Sequence, residues 1–331
     1  MRRRWERAGI ETSAMGLGCW AIAGKWNDPS ASWEWHGTND EESIRAIRAA
    51  IDHGVTLLDT ADVYGAGHSE VVVGKAIRGL RDRVVLATKF GHVFDEEKRK
   101  NLGRTDATPA YVRKAVEGSL RRLGTDRIDL YQLHVWEYPP AQAGEVVAVL
   151  EELVRAGKIR TYGWSTDVKA GVEAFARGPH CGAAQILANV FESNDRLIAF
   201  GEEKGLALLC RSPLAMGLLG GKYTAPGAQL PPGDVRTSNF EWITWFKDGR
   251  ASPEYAARLE AAREILTSGG RSLVQGALAW LWAKSPSLVP IPGFKTEAQA
   301  VENARAMAKG PLTREQMEQV AALVAYEDRS L

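Results

Sequence analysis

Four ionisable residues in the first half of the chain, Asp59, Tyr64, Lys89 and His134, have the types and the spacing to deliver a proton to an oxygen. Asp59 ends the apolar run Val55-Thr56-Leu57-Leu58, and Tyr64 follows five residues later, just before the turn-forming Gly65-Ala66-Gly67. An unpaired aspartate is seldom fully buried, so an Asp at the end of a buried run needs a cation. Lys89 closes Val84-Val85-Leu86-Ala87-Thr88-Lys89 and can provide it, and His134 closes Ile128-Asp129-Leu130-Tyr131-Gln132-Leu133-His134. A phenol with a pKa near about 10 is a weak acid at neutral pH, and a neighbouring ammonium favours its phenolate and lowers that value. In this arrangement Asp59 holds Lys89, Lys89 acts on Tyr64, and His134 hydrogen-bonds the reacting oxygen or orients the substrate. Such a site protonates an oxygen on which negative charge develops, as in reduction of a carbonyl by hydride. No side chain donates hydride, so a nicotinamide cofactor is implied. Each residue alone also has a structural reading: a capping aspartate, a packing tyrosine, a solvated lysine, a satisfied core histidine. Four of them at matching positions argue against coincidence.

The elements that position these residues follow from hydrophobic patterning. Apolar, β-rich runs at 15–20, 55–59, 84–89, 128–134, 159–165, 183–189, 206–212 and 288–292 alternate with longer amphipathic segments. Helices are expected over 41–53, with Asn39 and Asp40 as candidate caps and Gly54 as the stop, and over 110–123, opened by Thr108-Pro109 and closed by Gly124. Two more are expected over 145–156 and 273–283. Eight strands with intervening helices predict a closed (β/α)8 TIM barrel forming a single domain over residues 1–331, with an open doubly wound sheet as the competing architecture. Gly16-Leu17-Gly18-Cys19-Trp20-Ala21 matches a dinucleotide fingerprint, but a loop with Gly24, Asn27 and Pro29 follows where that motif needs a helix. The stretch reads as a barrel strand whose Trp20 faces the pocket. Two aromatic segments, 26–36 and 226–252, interrupt the alternation and are expected to form lids or binding loops at the C-terminal face, or aromatic packing beneath them.

Composition narrows the partners. Forty-two basic and 41 acidic residues leave a net charge of +1, so no global field favours nucleic acid or an anionic membrane, and a small molecule is the expected partner. Cys19, Cys181 and Cys210 are far apart in apolar surroundings, as expected of reduced, buried thiols. The basic start Met1-Arg2-Arg3-Arg4 is not followed by the apolar core of a signal peptide, and no apolar stretch approaches a membrane span. The expected setting is a reducing compartment, most simply the cytoplasm. Oligomeric state is not legible.

In order and spacing, several segments resemble the aldo-keto reductase family: Asp59-Thr60-Ala61-Asp62-Val63-Tyr64-Gly65 with Gly67-His68-Ser69-Glu70 and Gly74, Ala87-Thr88-Lys89, Leu123-Gly124 with Ile128-Asp129-Leu130 and His134, Gly157-Lys158-Ile159-Arg160, Ser212-Pro213-Leu214 with Gly217, Gly221-Lys222-Tyr223, and Ile291-Pro292-Gly293 with Asn303. The resemblance implies a (β/α)8 barrel capped at its base by an N-terminal β-hairpin, with long loops at the C-terminal face. It implies Asp59, Tyr64, Lys89 and His134 as a catalytic tetrad, with Tyr64 as general acid for an aldehyde or ketone, or for the reverse reaction on an alcohol. Asp62, despite its place in the motif, is assigned to the turn. NADP(H) is implied, without a Rossmann fold and favoured over NAD(H). Ser165 and Gln185 match positions that bind the nicotinamide carboxamide, while Thr166 stands where the family usually has asparagine. Arg211 stands where many members stack a tyrosine on the nicotinamide, and its charge would disfavour the cationic oxidised form. Ser212, Leu214, Gly217 and Lys222 match the pyrophosphate loop, and Gly293, Phe294, Lys295, Gln299 and Asn303 the adenosine end, with Lys295 as the cation for a 2′-phosphate. Trp20, His92, Phe94 and Trp136 are expected in the substrate wall, which suits a sugar, an aryl carbonyl or a terpenoid. A redox-sensing subunit of a protein complex, and an epimerase or dehydratase, are the alternative functions on this scaffold.

Overall fold

The computed structural model describes residues 1–26, 35, 37–238 and 240–329. Eight parallel strands, β1 (Gly16–Gly18), β2 (Leu57–Asp59), β3 (Val85–Phe90), β4 (Ile128–Leu133), β5 (Ile159–Ser165), β6 (Cys181–Leu187), β7 (Ala207–Arg211) and β8 (Leu288–Pro290), lie side by side in chain order. A bridge between Gly18 and Gly293, with Gly18 N–H donating to the Pro292 carbonyl at 3.0 Å, brings the last strand back to the first. This is a (β/α)8 barrel. Around it run α1 (Asp40–Asp52), α2 (His68–Ala76), α3 (Pro109–Leu123), α4 (Ala143–Arg155), α5 (Lys169–Phe175), α6 (Asp195–Lys204), α7 (Pro253–Thr267), α8 (Leu273–Lys284), α9 (Glu297–Arg305) and α10 (Arg314–Leu323).

Local chemistry explains most boundaries. The Asn39 side chain accepts from Glu42 N–H to start α1, and Thr108 does the same for Tyr111 N–H ahead of the N1 proline of α3. Gly124, at φ 63°, closes α3 in a left-handed cap. The first strand stops at Gly18, two residues earlier than expected, and Cys19–Ile22 turns as a 3-10 helix. The cause is the seam: a Cβ on residue 18 would sit 2.6 Å from the Ile291 carbonyl oxygen, so only glycine lets the first and last strands meet.

Strand side chains alternate between two faces. One face packs against the helices. The other fills the barrel, where Leu57, Val85, Ala87, Leu130, Ala183, Leu209 and Val289 form one buried cluster with Trp5 and Ile10. Those last two come from the antiparallel hairpin Arg2–Trp5 and Ile10–Ser13, which plugs the base. Moving up each strand with the same parity, the next residues are Asp59, Lys89, Gln132, Gln185 and Arg211. The barrel thus changes from apolar to polar within one layer.

The three cysteines are free and fully buried. Among the described residues no helix is long and apolar enough to cross a membrane. Of the first aromatic segment, 26–36, only Trp26 and Trp35 are described; the rest, with Asn27 and Pro29, lies outside the described residues.

Candidate active site

Asp59 and Lys89, 2% and 0% exposed, meet where β2 and β3 end. Lys89 Nζ donates to Asp59 Oδ1 at 2.6 Å and to the Thr60 carbonyl at 2.8 Å, and it stands 3.4 Å from the Tyr64 hydroxyl. The other carboxylate oxygen of Asp59 accepts from Gln185 Nε2 at 2.9 Å and from Gln132 Nε2 at 3.2 Å. Among the described residues, every side-chain donor to this carboxylate, Lys89, Gln132 and Gln185, has the same strand parity. Tyr64 arrives by a turn in which Asp62 N–H donates to the Lys89 carbonyl at 3.2 Å and Ser69 N–H to the Tyr64 carbonyl at 3.2 Å. Gly65, at φ 60°, passes so close to the Ala23 carbonyl that a side chain there would collide with it.

The electrostatics follow from burial. Desolvation pushes the Lys89 ammonium down, but Asp59 and Tyr64 together outweigh it, so Lys89 is held above its ordinary pKa and stays charged. Burial raises the Tyr64 phenol and Lys89 only partly offsets it, so the net direction is upward. This reverses the sequence-based expectation of a lowered phenol: the ammonium pulls as expected, but desolvation of a fully enclosed ring is larger. His134, one residue past β4, has its ring edge-on to Tyr64 with centroids 5.8 Å apart. Burial first, then His92, Lys89 and Arg211, hold its imidazole well below the ordinary range, so it is neutral. Its buried Nδ1 has no partner among the described residues.

The expected wall forms in part. Trp20 stacks on Tyr64 with centroids 6.0 Å apart, Trp35 meets Trp20 edge-on at 5.4 Å, and Trp242 from the second aromatic segment lies 6.3 Å from Trp20, itself stacked on Phe240. That segment therefore folds toward Tyr64. His92 packs edge-on to His134 at 5.1 Å, and its Nε2 meets the His134 carbonyl at 3.1 Å. His92 and Phe94 lie on a hairpin, His92–Asp95 with Lys100–Thr105, that the hydrophobic pattern does not reveal. Phe94 is engaged by Arg122, whose guanidinium lies 5.6 Å from its ring centroid while pairing with Glu70 and Glu96. Trp136 is 44% exposed and lies under the Arg211 guanidinium.

The residues expected to hold a cofactor divide into groups. Ser165 Oγ donates to Gln185 Oε1 at 3.5 Å, which ties both to Asp59 through the Gln185 amide. Arg211 is ion-paired with Asp167. Beyond β7 the backbone takes positive φ at Ser212, Ala215, Met216, Gly217 and Gly221, with Leu214 between them. Three of these five are not glycine, and such strain persists only where the surroundings enforce it. Lys222, Lys295 and Arg236 gather beside this loop: Lys295 and Arg236 both lie over the Trp35 ring, at 5.1 and 4.9 Å, and Arg236 and Lys222 over Tyr223, at 4.6 and 5.7 Å. Asp234 pairs with Arg236 through two hydrogen bonds of 2.8 Å. Burial lowers the Lys295 pKa, with Arg236 and Lys222 adding to the effect against Asp234.

Three expected adenosine-end residues do other work in this structure. Phe294 is 2% exposed and packs in the core. Gln299 caps α9, its Oε1 accepting from Lys295 N–H at 2.8 Å. Asn303 Nδ2 donates to the Gly293 carbonyl at 3.3 Å and so shapes the seam.

Gln132, Asp167, Arg236 and Asp234 escape the sequence reading. Strand parity would have found Gln132, two residues after Leu130 and two before His134. Nothing local marks the others. Asp62 makes the expected turn through its backbone, but its carboxyl is 1% exposed beside Glu70 and Arg122, and burial followed by Glu70 pushes it well above the carboxylate range.

Residues 14–325 match the model of the aldo/keto reductase family. An aldo-keto reductase of Bacillus subtilis (strain 168), YhdN, is 36% identical over 299 residues, which is 88% of this chain and 84% of that protein. The solved structure of a glycerol dehydrogenase from Gluconobacter oxydans superposes with a TM-score of 0.79 at 29% identity, over 95% of this chain and 92% of that one. An aldo-keto reductase from Klebsiella pneumoniae, solved in complex with NADPH, superposes at 0.69 with 29% identity, over 98% and 95% of the two chains. The fold, its polar upper layer and the match across nearly the whole chain lead to one conclusion: this chain belongs to the aldo/keto reductase family.

Proposed function

We propose that the protein is an NADP(H)-dependent oxidoreductase that reduces an aldehyde or ketone to the alcohol, or runs the reverse reaction. One observation carries the reading: a charged, fully buried Lys89 stands 3.4 Å from the Tyr64 hydroxyl and is held there by Asp59 at 2.6 Å. NADPH fits the residues present. The loop from Ser212 to Gly221 carries five positive-φ residues, the backbone conformation from which anion-binding turns are built, and Lys222 and Lys295 supply cations near it. The relative from Klebsiella pneumoniae, with its NADPH, supports the same choice. A reduced nicotinamide bound at the strand C-termini supplies the hydride.

The chain's own residues do the rest. Tyr64, kept as a neutral phenol by burial, gives its proton to the carbonyl oxygen. Lys89 stabilises the phenolate left behind, and Asp59 keeps Lys89 charged and in place. His134, a neutral imidazole, offers one hydrogen bond to the same oxygen and adds no charge. Trp20, Trp35 and Trp242 form an aromatic shelf beside Tyr64 that suits an uncharged substrate with a flat or ring-shaped face. Loss of NADPH absorbance on mixing with a panel of sugar, aryl and terpenoid carbonyls tests the function. Turnover with at least one class supports it, whereas product formed without NADPH consumption would point to epimerisation or dehydration.

Two substitutions probe the periphery. Trp242→Ala removes one stacked ring and should raise KM roughly three- to tenfold while leaving kcat within about twofold, measured by steady-state kinetics on the best substrate. Lys295→Ala should weaken NADPH about tenfold or more and NADH little, measured by fluorescence titration; equal effects would remove Lys295 from the 2′-phosphate site.

A further inference from the structure

We propose that Asp167, as the counter-ion of Arg211, sets how the site discriminates between oxidised and reduced cofactor; the role rests on the NADP(H)-dependent function proposed above. Asp167 lies two residues past β5 and pairs with Arg211 at the end of β7. Its Oδ1 accepts from Leu187 N–H at 2.7 Å, at the end of β6, and its backbone carbonyl accepts from Asn194 Nδ2 at 3.0 Å. The carboxylate is therefore held from two strand ends, β6 and β7, on a residue carried just past a third, β5. The guanidinium is fixed as firmly. It lies 5.0 Å over the Trp136 ring, and the Trp136 carbonyl accepts from Thr166 Oγ1 at 3.2 Å. Thr166, which stands where the family usually has asparagine, thus helps to hold the backbone of the platform for Arg211.

The pair is mostly enclosed, with side chains 21% and 17% exposed, so salt screens it less than a surface pair. Arg211 is close enough to His134 to contribute to holding that imidazole neutral, which places its charge at the reacting end of the barrel. Its buried Nε has no partner among the described residues. An isolated guanidinium here would oppose the oxidised nicotinamide, whose ring is cationic, and not the neutral reduced one. Asp167 cancels most of that opposition, so the two forms are distinguished less than Arg211 alone would dictate.

Tryptophan-fluorescence titration of the full-length protein with NADP⁺ and NADPH tests this in the wild type, Asp167→Asn, Arg211→Gln and the double variant. Asparagine keeps the acceptor for Leu187 N–H and replaces the charged oxygen facing Arg211 with a neutral amide NH2. Asp167→Asn should raise the ratio of the NADP⁺ to the NADPH dissociation constant about tenfold, because the guanidinium is then unopposed. Arg211→Gln should lower the ratio, because the carboxylate then favours the cation, and the double variant should return near the wild-type value. A structural role for Asp167 would weaken both nucleotides alike. An unchanged ratio in Asp167→Asn, or shifts of the same sign in the two single variants, overturns the proposal while leaving the reductase function intact. Failure of the wild type to bind either nucleotide overturns both.

Discussion

Tyr64→Phe should lower turnover by about 10²- to 10⁴-fold, the range one positioned proton donor supplies, and leave NADPH binding within about twofold. The ring remains to stack on Trp20, and only the hydroxyl that faces Lys89 is lost. Stopped-flow reduction with saturating NADPH separates the chemical step from binding. A loss below tenfold would mean that another group donates the proton. The pH profile carries a sign as well. Reduction needs the protonated phenol, and burial holds Tyr64 above its ordinary value of 10.0, so the reduction rate should stay level through neutral pH and fall only above about 10. Oxidation of the alcohol needs the phenolate and should climb toward the same point. His134 titrates well below 6.5, so it should place no inflection between pH 7 and that limit.

Lys89→Met should cost about 3–5 kcal/mol of stability, the largest loss from a single change in the site, and abolish turnover as well. The asymmetry of buried pairs is the reason. With Lys89 gone, Asp59 remains 2% exposed with, among the described residues, only the neutral amides of Gln132 and Gln185 as donors. Urea unfolding without nucleotide measures the loss. The double variant Asp59→Asn with Lys89→Met should recover most of the stability and none of the activity, since a neutral pair removes the uncompensated charge and the ammonium together. A loss below about 1 kcal/mol in the single variant would place the pair in the energetic class of surface ion pairs and contradict its burial.

The sequence by itself determined the alternation of eight strands with helices and the placing of three ionisable residues at successive strand ends. Eight apolar runs punctuated by caps and glycines specify strand and helix, and period-two alternation forces residues at matching strand ends onto one face. Asp59, Lys89 and His134 therefore share one face at neighbouring strand ends, and closure of the barrel points that face inward. Only the tertiary structure decided how they behave. The sign of the Tyr64 shift is a contest between an ammonium that sequence spacing could propose and a desolvation that depends on how closely Trp20 and its neighbours cover the ring. Arg211 was legible as a cation and Asp167 was not legible as its partner, because 44 residues separate them and only the barrel's curvature brings two strand ends together. Phe294 shows what packing adds: its motif position marks it as a candidate at the adenosine end, and the structure adds that its ring is buried beside the seam, where an aromatic side chain is worth more than in water.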